Sequence, residues 1–392
     1  MKKSTLILSF FLLSTLVISQ TVYVVDNNAN APSGDYIFPT IQEAVDAAMG
    51  GDYIYIQPSP TKYGGTVIVD KELHFVGIGF NLTKDIPHQS VITNLRLQNN
   101  VDNTSNASNS TITGLIIDNI YFNRNASASS FTLDNVKIYN NLISQITYTQ
   151  STSFTVPLSN IEIYSNRITS TVLFYQEVSS LIIRNNLLQG ALIFDSANPN
   201  SAVVTNNIMY GAIGKDSAGD NVIIQNNYFL GSNGSNVAFN NMLDATIANN
   251  VFYGRTPSNV AAGGSTSANF QRNIFTNNLS YETGNDELPP AGGGGIGNSG
   301  DGNIESDSPE FTDVDIVNTW SSDFDFTLSG SSPLLNAGSD GTNIGITGGP
   351  YPYTASNFDL RTTALPTIEI LNTSTIINPD DDLDVRVKAK SN

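Results

Sequence analysis

Two aspartates stand at matching places in successive copies of a repeated phrase, with a tyrosine at the same place one copy earlier. Counting from the last asparagine of each phrase (Asn166, Asn186 and Asn207), the ninth residue is Tyr175, Asp195 and Asp216, and the eighth is Phe174, Phe194 and Lys215. If each copy is one turn of a coil, Asp195 and Asp216 lie about 4.8 Å apart, one strand spacing. Carboxylates that close repel, so they share a proton, bind a cation such as calcium, or splay into solvent as two hydrated side chains. Tyr175 offers a flat apolar ring and a hydroxyl, a combination that stacks on sugar rings. Lys215 would neutralise a uronate or take a proton. In a lyase, a cation or positive side chain would stabilise charge developing beside the uronate carboxyl while a base removes the C5 proton. In a glycoside hydrolase, the two acids would divide into proton donor and base or nucleophile, their separation deciding which. Asp195, Asp216 and Lys215 are therefore the candidate catalytic residues, Tyr175 the candidate substrate-binding residue, and Asp195 and Asp216 the candidate calcium ligands.

Other chemistries are excluded by composition. The chain has no cysteine and two histidines, His74 and His88, which rules out thiol catalysis, cysteine-ligated zinc, a multi-histidine metal site and a credible Ser-His-Asp arrangement. The GGGGIG run at 292–297 lacks a lysine and a following helix, so it is no phosphate loop. With 35 acidic against 17 basic residues, the formal net charge is −18. Nucleic acid and anionic membrane both require clustered Lys and Arg, so neither is an expected partner.

The phrase that positions the candidates appears as VKIYNN (136–141), IEIYSN (161–166), LIIRNN (181–186), AVVTNN (202–207), VIIQNN (222–227) and ATIANN (245–250), with LIIDN (115–119) and FQRN (270–273) as variants. Successive final asparagines, from Asn119 to Asn273, are 20 to 25 residues apart. That period fits one turn of a β-solenoid. Within each phrase apolar residues alternate with period 2, as in a strand with one buried face. The asparagine supplies the left-handed backbone of a sharp bend, and its amide can bond to its equivalent on the next turn. Asn119, Asn141, Asn166, Asn186, Asn207, Asn227 and Asn250 are accordingly expected in one row. Only 13% of the residues are charged, and Asn, Ser and Thr make the polar surface, as suits stacked strands in which like charges would repel at every turn.

Upstream, Thr40 and Glu43 form a capping box, Ile41, Ala44, Val45 and Ala48 make one apolar helical face, and Gly50-Gly51 ends it. The asparagine series and its period resemble the pectate-lyase-like superfamily of right-handed parallel β-helices. The segment FPTIQEAVDAAMGGDYIYIQPSPTKYGG (38–65) resembles the entry of many secreted β-helix proteins, where a short helix caps the coil, and SPLLNAGSDGTNIGITGG (332–349) resembles their closing segment. The resemblance implies an all-β, right-handed, single-stranded parallel β-helix with an N-terminal capping helix and an asparagine ladder, spanning roughly residues 38–349. It also implies that the third strand of each turn carries the substrate groove. Pectate lyases proper use an acidic calcium cluster and an arginine base. Arg167, Arg184 and Lys137 fall on a different strand by this alignment, so no residue here is matched to that base.

Lys2 and Lys3 followed by the apolar stretch Leu6 to Val17 read as a signal peptide over residues 1–19, too short for a membrane span, and no later span is expected. The coil is expected over 20–365, with a Gly-rich flexible loop at 286–303 and a C-terminal β cap or small appended element at 366–392. The expectation is a secreted, cell-surface or extracellular carbohydrate-active protein, a monomer that binds extracellular polysaccharide and acts as a lyase or glycoside hydrolase. The alternatives are a non-catalytic glycan-binding protein of the surface or matrix, or a structural spacer.

Overall fold

Alternation of apolar and polar residues makes each short strand two-faced, and the apolar face of one strand meets that of the next turn in register. Ile54, Phe75, Ile112, Ile138, Ile163, Ile183, Val204, Ile224, Ile247 and Phe275 are successive register partners, and every one is fully buried. β-branched side chains fill such a column because they pack well on a pleated surface.

The structure is a computed structural model that describes residues 20–80, 88–122, 132–148, 158–175, 178–194, 201–215, 222–232, 237–258, 270–290, 297–353, 367–373 and 385–390. The leader at 1–19 lies outside them. The protein is all-β apart from one described helix, and a 13-stranded and a 16-stranded sheet dominate it, all of whose pairings are parallel. The chain alternates between the two sheets. Lys137–Tyr139 lies in the first and Leu142–Tyr148 in the second; Leu158–Tyr164 then returns to pair with Lys137–Tyr139, and Arg167–Ile168 and Val172–Phe174 pair with Leu142–Tyr148. Each circuit advances one strand, an arrangement compatible with a parallel β-helix.

The described helix, Ile41–Ala47, starts at Thr40, whose hydroxyl accepts from the Glu43 N–H at 3.3 Å and donates to Glu43 Oε2 at 2.8 Å. Ile41, Ala44 and Val45 are buried in the same core as Val25, Ile54 and Val69. The Lys71 ammonium donates to the carbonyls of Val45 and Ala48 at the helix end.

Asn141, Asn166, Asn186, Asn207, Asn227, Asn250, Asn278 and Asn303 form a column at the corner after the first-sheet strand. Each Oδ1 after the first accepts both the N–H and the side-chain amide of the preceding asparagine, at 2.9–3.1 Å. The Asn186 amide also donates to the carbonyls of Ile163 and Arg184, both at 2.9 Å. Three details differ from the sequence reading. Asn119 is not in this column: it sits inside the second-sheet strand Ile116–Phe122, where it donates to Asn94 Oδ1 at 2.9 Å, and the N–H of Leu115 occupies the column site below Asn141 Oδ1. Asn273 starts a second, short column, accepting from the Ala245 N–H and donating to Asn298, while Asn278 continues the main one. The left-handed backbone belongs to the residue before each column member. Asn140, Ser165, Asn185, Asn206, Asn226, Asn249 and Asn277 have φ of 52–57°. The bend and the amide column are thus assigned to different members of each doublet.

Those preceding asparagines hold a strap. Asn185 donates to the Tyr351 carbonyl at 2.9 Å, Asn206 to Ile346 and Gly348 at 3.1 and 2.7 Å, Asn226 to Asn343 and Gly345 at 3.3 and 3.2 Å, and Asn277 to Ala337 at 2.9 Å. Asn249 accepts the Ser339 N–H at 2.8 Å. Under the strap, Leu187, Ile208, Tyr228, Val251 and Leu279 form a second hydrophobic cluster with Phe326, Leu334, Ile344, Ile346 and Tyr353. They follow the column asparagines directly and are register partners of one another. An antiparallel pair, Phe311–Asp313 with Asp325–Leu328, belongs to the same layer.

Of the Gly-rich stretch 286–303, residues 291–296 lie outside the described residues. Its described ends are tied in: Leu288 is buried in the main core, and Asn298 and Asn303 serve the two columns. At the C-terminal end, Thr367–Thr373 and Val385–Lys390 pair antiparallel with each other.

Candidate functional site

On the outer face of the second sheet, one row of side chains runs along the stacking direction. Ile68, Arg96, Tyr121, Thr147, Leu173, Ile193, Gly214 and Asn240 are register partners on eight successive turns. The residues flanking them along each strand, such as Leu95 and Leu97, Ile120 and Phe122, Ile146 and Tyr148, or Val172 and Phe174, are buried. Alternation therefore turns the row outward. It begins on the exposed Ile68, is cationic and aromatic at Arg96 and Tyr121, is covered at the buried Thr147, is apolar at Leu173 and Ile193, and ends on the exposed amide of Asn240. Gly214 leaves a gap: a Cβ built there meets nothing nearer than Asn240 at 3.9 Å.

Around Arg96, Thr66, Asn94, Asn119 and Gln145 form a parallel polar row at the adjacent corner, with Asn119 donating to Asn94 at 2.9 Å and Asn94 to Thr66 at 3.3 Å. Lys62 and Asp118 pair with each other beside it. Arg96 Nε is buried and has no hydrogen-bond partner among the described residues.

Of the predicted cluster, the structure describes Tyr175 and the backbone of Lys215, at the ends of strands of this face. Phe174, Phe194 and Lys215 are register partners on consecutive turns. Tyr175 follows Phe174, is partly buried, and donates its N–H to the Tyr148 carbonyl at 3.3 Å. Asp195 and Asp216 lie outside the described residues, as does the side chain of Lys215. Among the described residues no three His, Asp or Glu side chains are grouped to hold a metal ion. The donor set for calcium, Asp195 and Asp216, falls outside them, so no step is derived through that ion.

Basic and aromatic residues also gather on the outer face of the first sheet. The rings of Tyr139 and Tyr164 stack at 4.8 Å and 2°, and the Arg184 guanidinium lies 4.0 Å over Tyr164 and 4.6 Å over Tyr351 of the strap. Arg184 also pairs with Glu162 at 2.6 Å. Burial, with the neighbouring Tyr139 and Glu162 adding and Arg184 opposing, pushes the Tyr164 hydroxyl up to about 12. The ring faces and the charge are satisfied within this pile, which ties the strap to the sheet rather than leaving a surface for ligand.

Sequence reasoning missed Arg96 and Tyr121, which belong to turns before the first full copy of the repeated phrase at 136–141. The signal present was the Arg96 and Tyr121 alternation in VITNLRL (91–97) and IIDNIYF (116–122), which the count from asparagines did not reach. No protein-family model matches the chain, and no curated protein matches it. No described helix is long and apolar enough to cross a membrane.

Proposed function

We propose that this chain is a secreted, right-handed parallel β-helix of the pectate-lyase-like type that binds extracellular polysaccharide along the outer face of its second sheet. The observation that carries the reading is the row of register partners from Ile68 to Asn240, one per turn on eight turns, all of them at least partly exposed except Thr147. A straight track repeating about every 4.8 Å suits a linear polymer of small rings. Its groups are those that recognise sugars: a guanidinium, a tyrosine, hydroxyls and amides for hydroxyl groups, and an apolar stretch for ring faces. Right-handedness follows from the strong preference of parallel crossovers. A function taken from fold alone would be analogy, so the weight rests on the track.

The test is a polysaccharide panel measured by affinity electrophoresis and calorimetry, with Arg96→Ala and Tyr121→Ala beside the parent. Losing a guanidinium hydrogen bond or an aromatic contact predicts about tenfold weaker binding for each. If no polysaccharide binds the parent, or both folded variants bind as the parent does, the track is not a glycan site. Cleavage, by the lyase or hydrolase chemistry set out above, would need Asp195, Asp216 and Lys215. New unsaturated or reducing ends that vanish in Asp195→Asn, Asp216→Asn would reveal it; binding without new ends favours the non-catalytic reading.

A further inference from the structure

Resting on that reading, we infer that the track takes a neutral polysaccharide, laid with a sugar-ring face on Leu173 and Ile193, and not a polyuronate. The four consecutive floor residues Leu173, Ile193, Gly214 and Asn240, and the buried Thr147 before them, carry no ionisable group, and Arg96 is the only charge in the whole row. Lys62 and Asp118 neutralise one another at its edge. A polyuronate brings one carboxylate per sugar. On the described floor residues all but one would lie over uncharged or apolar groups and would lose water without gaining a partner there.

The rest of the chain argues the same way. With 35 acidic and 17 basic residues, its net charge of −18 repels a polyanion within roughly a Debye length, about 8–10 Å in ordinary buffer. A neutral chain meets no such penalty. Leu173 and Ile193 sit side by side on adjacent turns, partly exposed, and the C–H face of a sugar ring can cover both. The missing side chain at Gly214 lowers the floor beside them, with open space to 3.9 Å, and the Asn240 amide beyond it is exposed to a hydroxyl. The strand before the gap and the one after it, Leu192–Phe194 and Val237–Asn240, both pair with Ile213–Lys215, so the recess lies within a continuous sheet.

The experiment compares polygalacturonate with its carboxyl-reduced, neutral counterpart, and adds xylan and cello-oligosaccharides. Binding to the full chain is measured at low and high salt, with and without calcium. We expect at least one neutral polymer to bind about tenfold more tightly than polygalacturonate, with an affinity that changes less than about twofold with salt. Gly214→Leu, which fills the recess, and Ile193→Asp, which charges the floor, should each weaken that neutral binding about tenfold while the melting temperature stays within a few degrees. Leu173→Ser serves as a milder floor variant should either fail to fold. Tighter binding of polygalacturonate than of every neutral polymer, in either calcium condition, overturns the inference and leaves the polysaccharide reading standing. Neutral binding indifferent to both folded floor variants also overturns it. Retention of no polymer at all sinks the polysaccharide reading, and this inference with it.

Discussion

Asn206 and Asn207 are neighbours that face opposite ways: the amide of Asn206 donates outward to the Gly348 carbonyl at 2.7 Å, while that of Asn207 donates inward to Asn227 at 3.0 Å. The outward member holds a segment more than a hundred residues away, and the inward member holds the next turn. The same division recurs at 185–186, 226–227 and 277–278.

The two roles should separate by mutation. Asn186→Leu takes away the acceptor of the Asn166 N–H, one of three acceptors of the Asn166 amide, and the side-chain donor to the Ile163 and Arg184 carbonyls. A loss of about 1–3 kcal/mol in global stability is expected from denaturant unfolding. Asn206→Gly keeps the left-handed backbone and removes the strap's two hydrogen bonds together with the one Asn206 accepts from the Thr205 hydroxyl. It should cost about 1 kcal/mol and speed hydrogen exchange in 337–351 ahead of the first-sheet strands. Equal loss of protection in both regions would contradict the division.

Gly345 sets the fit of the strap. Its φ is 84°, and a Cβ there would come within 2.0 Å of the buried Tyr228 ring. Gly345→Ala should destabilise by about 1–3 kcal/mol through overpacking and backbone strain, whereas Gly341→Ala, equally left-handed but in open space, should cost less. Similar midpoints in a denaturant titration would argue that Tyr228 yields easily.

Arg255 is a buried cation whose hydrogen bonds go to main-chain carbonyls: Val237 at 2.8 and 3.0 Å, Tyr210 at 2.5 Å and Leu230 at 3.4 Å. Burial pulls its guanidinium down to about 10, so it stays protonated through the neutral range. Arg255→Met should leave several carbonyls unmet and cost about 1–3 kcal/mol. Arg255→Lys should recover only part, because an ammonium cannot span carbonyls from three segments as a planar fork does. Full recovery by lysine would show that charge rather than geometry matters.

His74 gives the fold a pH dependence. It is largely buried beside Tyr53 and Thr111, and burial lowers its pKa below the ordinary 6.5, with Glu72 at 3.8 Å opposing. The unfolded chain thus takes up the proton more readily than the folded one. This contribution to stability is complete above about pH 6.5 and is lost as pH falls through the lowered folded value. His74→Gln should flatten the slope of stability against pH in that window, as read by melting temperature. An unchanged slope would assign the acid sensitivity to carboxylates instead.

Strand faces and the asparagine doublets were legible because period 2 and a spacing near 20–25 residues are visible without knowing what lies opposite. What failed was assignment to a corner. LIIDN looks like the phrase, yet its first-sheet strand is Thr111–Thr113 and Asn119 has already moved into the next sheet. Composition cannot reveal that shift; only register can. The doublets carried an unread clue. Ser165 takes the outer position in IEIYSN, on a turn where, among the described residues, no strap hydrogen bond of the kind seen from Asn185 onward is found. The candidate track escaped for a related reason: Arg96 precedes the first asparagine of the series, and Tyr121 stands two residues after Asn119, far from the eighth and ninth positions of the count. The offset counted from the asparagines did carry a register relation: Phe174 and Phe194, the eighth residues of their copies, are partners on adjacent turns.

The strap's order along the coil has a consequence for how the molecule is built. Residue 337 meets the turn at 277 and residue 351 meets the turn at 185, so the strap runs back along turns that precede it in the chain. During synthesis, every turn it touches emerges first. Leu187, Ile208, Tyr228, Val251 and Leu279 therefore form a bare greasy ridge until residues near 353 arrive. The finished molecule hides this ridge, but the nascent one must carry it. Chains stalled or clipped between about 280 and 337 should thus be the sticky species, prone to clump through a surface the mature protein never shows.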